Sequence, residues 1–167
     1  MTRRSANLLG VIACAGLMAY ALYSQHVLGY EPCPLCVFQR VGVIALGCVF
    51  LLAALHNPGG GARFVYVTGV LIAAGATVGV AGRHVYLQNL PADQVPACGA
   101  SLDFLLETTP FFDVLRQVFT GSGECAEVDW VFLGLSMPVW VIVAAAGLGL
   151  AGVWANSALP ANRYPSH

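Results

Sequence analysis

The sequence predicts an all-α membrane protein: a bundle of four transmembrane helices with a long second extracytoplasmic loop that carries short amphipathic helices. Three observations predict it. Hydrophobic residues make up 58% of the 167 positions and charged residues only 9%, whereas a soluble domain carries about 25% charged residues. The apolar residues gather in four stretches, near 6–23, 39–56, 64–82 and 132–154. Each approaches the roughly 20 residues that a helix rising 1.5 Å per residue needs to cross a ~30 Å hydrocarbon core. An unpaired backbone amide is costly in lipid, so the spans are expected to be helices. The whole chain, 1–167, reads as one membrane domain in a lipid bilayer. A net charge of −1, with no lysine, gives no reason to expect a nucleic-acid partner.

The first span follows Arg3 and Arg4. A secreted leader is the competing reading, but the apolar run is long for one, and Tyr23-Ser24-Gln25-His26 is a poor cleavage site. A first loop, 24–38, leads to the second span, and the short turn from His56 to Arg63 leads to the third. The third is rich in glycine and alanine from Gly69 to Gly82, which suits close helix contact. The second loop, 83–131, is too short for another large domain. Within it Ser101 is placed to cap a helix starting at Leu102, and Thr109-Pro110 to supply the N-cap and first position of another. Leu102, Leu105, Phe112, Leu115 and Phe119 alternate with Asp103, Glu107, Asp113 and Arg116. That pattern describes an amphipathic helix, lying either on the membrane surface or against the bundle.

Four spans place both termini on one side. That side holds Arg3, Arg4, Arg63 and Arg163 and no acid; the other holds Arg40, Arg83, Arg116 and all eight acids. The arginine bias, four against three, favours cytoplasmic termini.

The cysteines carry the chemistry. Cys33 and Cys36 stand in Cys33-Pro34-Leu35-Cys36 in the first loop, and Cys98 and Cys125 lie 27 positions apart in the second. All four face the extracytoplasmic side in this topology, where disulfides persist. Cys14 and Cys48 fall inside spans and read as small apolar residues. A Cys-x-x-Cys pair brings two thiols close enough to exchange electrons, and its setting favours the reactive thiolate. Two other chemistries stay open on spacing alone: purely structural disulfides, and a four-cysteine zinc site. Against zinc, the second pair has no Cys-x-x-Cys knuckle, and His84 is the one nearby auxiliary ligand.

Arg40 lies four residues after Cys36 and so shares its helical face. A boundary arginine is often a snorkelling anchor. Beside a thiolate it would also stabilise anionic sulfur or a reduced oxygen acceptor, and an ionisable group at a membrane span is a functional candidate by default. His84, at the outer end of the third span, is placed either to hydrogen-bond and relay protons or to sit as an interfacial residue.

The chain resembles the DsbB family of bacterial inner-membrane disulfide-bond-forming oxidoreductases. The residues that carry the resemblance are Glu31-Pro32-Cys33-Pro34-Leu35-Cys36-Val37-Phe38-Gln39-Arg40, His84-Val85-Tyr86-Leu87-Gln88, Gly121-Ser122-Gly123-Glu124-Cys125-Ala126-Glu127, and the stretch from Trp130 to Trp140. One departure is Pro34, where the family often has an aliphatic residue. The resemblance implies a multi-pass inner-membrane enzyme that supports disulfide bond formation in exported proteins. It implies redox-active disulfides Cys33–Cys36 and Cys98–Cys125. It also implies a periplasmic DsbA-like partner of thioredoxin fold that reacts at Cys98. The electron acceptor it implies is a membrane quinone, ubiquinone or menaquinone, facing Cys36 with Arg40 and His84 nearby. No metal is expected.

Overall fold

The computed structural model describes residues 1–91, 93–94, 107–121, 123–126, 128 and 130–160. Cys98 and the helix expected from Leu102 lie outside the described residues. Four long helices dominate: α1 (Arg3–His26), α2 (Pro34–His56), α3 (Arg63–Gln88) and α5 (Met137–Ala158), with the shorter α4 (Phe111–Thr120) between the last two. All four long helices are long and apolar enough to cross a membrane. Helix α1 packs on α2, α2 on α3, and α3 on α5, which also touches α1.

The sequence starts and stops these helices by local chemistry. Thr2 and Ser5 form a reciprocal capping box at the head of α1. Pro34 opens α2 at a position where its missing N–H costs nothing. Asn57 ends α2 in the left-handed conformation, with φ of 43°. Helix α3 runs on to Gln88 and so carries Arg83 and His84 as helical residues. The last long helix begins at Met137 rather than at Phe132. Residues 131–136 instead form a hairpin in which Val131 pairs with Ser136 and Phe132 with Leu135. Its two turn residues, Leu133 and Gly134, both take positive φ, 52° and 79°, which no helix accepts. Helix α4 begins at Phe111, one residue later than the Thr109-Pro110 signal suggests, with the Pro110 carbonyl accepting from Val114 at 3.1 Å.

The bundle is inverted relative to a soluble protein. Leu9, Ile12, Leu52, Leu55, Ile72 and Leu150 are all 56–74% exposed, a surface made for lipid. Small residues bring α3 and α5 together: a Cβ on Gly149 would lie 2.9 Å from that of Ala74. One core cluster centres on Phe50, Leu46, Val70 and Cys14. Cys14 is thus the small core residue expected of it, whereas Cys48 faces outward on the apolar surface. A second cluster joins Leu35 of α2, Leu87 of α3, Val114 and Val118 of α4, and Cys125. Helix α4 therefore rests on the bundle through one face, and its Phe112 points away at 82% exposure.

Candidate active site

Two helix ends build the site. Cys33 is the N-cap of α2 and Cys36 stands in its first turn. Backbone N–H groups at a helix start have no intrahelical partner and favour negative charge nearby. The Cys33 and Cys36 sulfurs are 3.5 Å apart. Both are half-buried. A disulfide needs about 2.05 Å, so the two thiols close a bond by side-chain rotation, without moving a helix. Pro34 and Leu35 between them are buried, which fixes the first turn.

His84 reaches across from α3, 3% exposed. Its Nε2 lies 3.8 Å from Cys33 Sγ and its Nδ1 3.9 Å from Cys36 Sγ. The ring thus spans both sulfurs. Its Nδ1 also meets Gln39 Nε2 at 3.0 Å. An amide nitrogen only donates, so Nδ1 accepts and the ring proton sits on Nε2, facing Cys33. Gln39, itself 3% exposed, ties the histidine of α3 to the helix that carries the thiols.

Arg40 lies one turn beyond Cys36 and within electrostatic reach of it. Its guanidinium turns toward α1, donating to Gln25 Oε1 and, at 3.2 Å, to the Ala21 carbonyl. The cation is held in place by a second helix rather than trailing into solvent.

Cys125 comes to the same place from the second loop. It is 1% exposed and packs in the cluster that also touches Cys33. Its main chain meets the His84 ring. Several contacts hold this segment down. Arg83 donates from Nε and a terminal nitrogen to the Phe119 and Thr120 carbonyls, both at 3.0 Å. These are C-terminal carbonyls of α4 with no helical partner. Gly121 then turns the chain at φ of 95°, so close to Leu87 that a Cβ would lie 2.6 Å from it. Phe38 and Phe119 meet at 6.3 Å between ring centres. The hairpin is fixed likewise: Ser136 donates to Gln88 at 2.7 Å, and Trp140 to the Phe132 carbonyl at 3.1 Å.

The structure therefore brings Cys33, Cys36, His84 and Cys125 together, with Arg40 beside them; Cys98 lies outside the described residues. Sequence reasoning passed over three residues that build the site: Gln39, Arg83 and Gln25. Gln39 carried a usable signal, because an uncharged amide inside a span must find a partner. Arg83 and Gln25 carried none, since their partners are distant in sequence.

The arrangement supplies a two-thiol donor, an imidazole across both sulfurs, a fixed cation and a third cysteine within the same packed cluster. Comparison with known proteins agrees with this chemistry. The family model for disulfide bond formation protein DsbB matches residues 3–155. Disulfide bond formation protein B of Xanthomonas campestris pv. campestris is 52% identical over 154 residues, covering 92% of this chain and 90% of that protein. The protein of the same name from Marinobacter nauticus is 54% identical over 143 residues, covering 86% and 85%. That from Nitrosococcus oceani is 51% identical over 146 residues, covering 87% and 86%. The chain belongs to the DsbB family of disulfide bond formation proteins.

Proposed function

We infer that this chain is a quinone-dependent protein-disulfide oxidoreductase of the bacterial inner membrane, reoxidising a DsbA-like periplasmic oxidase. The observation that carries the reading is the reactive pair itself: Cys33 and Cys36 sulfurs 3.5 Å apart at the mouth of a membrane helix, spanned by the His84 ring. Both termini are cytoplasmic, and the four loop cysteines, 33, 36, 98 and 125, face the periplasm.

The electrons move in three balanced exchanges. A thiolate of the reduced partner attacks Cys98 Sγ and breaks the Cys98–Cys125 disulfide; the partner's second thiol then displaces Cys98. The partner leaves oxidised and the loop pair is a dithiol. The Cys125 thiolate next attacks Cys33 Sγ, and Cys36 leaves as thiolate. Packing of Cys125 in the Cys33 cluster supports this route. Cys98 completes the exchange, restoring its bond to Cys125 and releasing Cys33 as a thiol. Re-forming the Cys33–Cys36 bond releases two electrons and two protons, which a bound quinone would accept.

The residues fit such an acceptor. Cys36 is half-buried in the first turn of a span, where lipid-borne and water-borne reactants meet. Arg40 supplies fixed positive charge as electrons leave sulfur for oxygen. His84 holds a proton on Nε2 beside Cys33, placed to donate to that sulfur and stabilise it as the thiolate. DsbA is a strong oxidant at about −120 mV, so an acceptor beyond ordinary thiol carriers is needed to reoxidise it.

Membranes containing the protein should oxidise a reduced DsbA-type partner only when quinone is present, one dithiol per quinone consumed. Cys98→Ser should stop that oxidation while leaving the Cys33–Cys36 pair able to reduce quinone. Loss of both half-reactions in a folded Cys98→Ser protein would reject the two-pair relay. An impermeant thiol reagent applied to intact, reduced cells should label both pairs; labelling of one pair only would reject the topology.

A further inference from the structure

We propose that the reduced dithiol end takes up a thiophilic divalent cation, Zn²⁺ or Cd²⁺, on Cys33 Sγ, Cys36 Sγ and one ring nitrogen of His84. The three residues' ligand atoms all lie within 4.8 Å of one another. The measured edges are 3.5 Å between sulfurs and 3.8 Å from Cys33 Sγ to Nε2. A tetrahedral centre with metal–sulfur bonds of about 2.3 Å and a metal–nitrogen bond of about 2.0 Å has edges of roughly 3.8 and 3.5 Å. These two edges lie within a few tenths of an ångström of those values, and the third ligand-atom edge falls inside the same 4.8 Å span.

Three further features fit. Gln39 buttresses the imidazole from behind, as the outer shell of a histidine ligand does. With Nε2 on the cation the proton moves to Nδ1, and rotation of the Gln39 amide presents its oxygen to accept it. Two thiolates neutralise the 2+ charge, so the filled site is electrically neutral at the membrane boundary. The Arg40 guanidinium is engaged with Gln25 and Ala21 and so does not occupy the sulfurs. Three protein ligands leave a fourth position for water.

Uptake releases two thiol protons and moves no electrons; both sulfurs remain at the thiolate level. Thiolates held this way neither close a disulfide nor reduce quinone. The ion is a reversible brake that acts on the reduced enzyme alone, distinct from a resident structural metal. The inference rests on the proposed dithiol–disulfide cycle, because the oxidised pair offers no thiolate.

The test uses the full-length protein carrying Cys98→Ser and Cys125→Ser, so that the other pair contributes nothing. Cd²⁺ alone is titrated while thiolate-to-metal absorption is followed, on reduced and oxidised samples. The reduced sample should bind one equivalent and the oxidised sample none. His84→Ala should weaken binding about tenfold or more, and Gln39→Leu by a smaller factor. X-ray absorption of the Zn²⁺-loaded, reduced protein with native His84 should show two sulfurs near 2.3 Å and a nitrogen near 2.0 Å, both about the usual values. An all-sulfur shell, unchanged affinity in His84→Ala, or no binding by the reduced sample overturns the inference and leaves the proposed reaction standing. Equal binding by the oxidised sample overturns the redox gate and the dithiol–disulfide cycle together.

Discussion

The bundle buries a polar cluster at each end, and the two are built differently. At the end that carries the termini, Arg3, Asn7 and Asn156 are 4%, 0% and 0% exposed. Asn7 and Asn156 exchange amide hydrogen bonds of 3.1 and 3.0 Å, joining α1 to α5. Arg3 donates to the carbonyls of Pro58 and Leu159, tying the α2–α3 turn to the end of α5. At the other end Gln39 and His84 are equally buried, but the groups they serve are half-exposed sulfurs at 3.5–3.9 Å. The first cluster ties its amides and guanidinium to main-chain carbonyls and to each other by short hydrogen bonds. The second keeps its reactive atoms in looser contact, with three sulfurs near one ring. Burial alone does not mark a site; a buried polar group whose neighbours can change partners does.

The comparison breaks most visibly at Cys36. Cys36→Ser should abolish quinone reduction while the thermal midpoint shifts little, because the side chain fills no core cavity. A large loss of stability would show that the dithiol end is as structural as the other.

Arg40→Ala should lower quinone turnover on the order of 10²-fold per folded molecule, the scale of losing one electrostatic donor. Arg40→Lys keeps the charge without the planar fork and should lose less. Because the guanidinium also links α2 to α1, the alanine variant should lose about 1–2 kcal/mol of stability as well. Unchanged turnover across quinone concentrations would make Arg40 an anchor only.

Arg83→Ala should act between the pairs. It frees the end of α4 and the segment leading to Cys125, so transfer from the second pair to the first should slow several-fold. Quinone reduction by the pre-reduced first pair should keep its rate. Equal slowing of both steps would show that Arg83 serves the whole fold.

Asn156→Ala should have the smallest effect on turnover. It removes both amide bonds to Asn7, whose Nδ2 keeps only the Arg3 carbonyl, and should cost about 1 kcal/mol in an unfolding titration. A changed quinone rate per folded molecule would mean that the two ends are coupled.

The sequence made the framework legible because the framework is local. Four apolar runs, the Cys33–Cys36 spacing and the Cys36–Arg40 turn all lie within a single helix or its first residues. What escaped is long-range. Gln39 and His84 meet across 45 positions, and Arg83 reaches α4 across 36 and 37. No periodicity reports such pairings. The hairpin at 131–136 escaped for another reason: its apolar residues continue directly into those of α5, and only the turn at Leu133-Gly134 separates them. Pro34 gained a plain account, since the first position of a helix is where proline fits. The packing of Cys125 against the first pair could not be read from a loop sequence that alternates without a fixed register.

The central claim is that Cys33 and Cys36 are the pair that hands electrons to quinone. A single-turnover measurement tests it directly. The Cys98→Ser/Cys125→Ser protein is reduced, freed of reductant and mixed with quinone, and quinol and cysteine state are read together. The account predicts one quinol per chain and a Cys33–Cys36 disulfide appearing at the same rate. Quinone left unreduced by a folded, fully reduced protein, or quinol formed while Cys33 and Cys36 stay thiols, would contradict it.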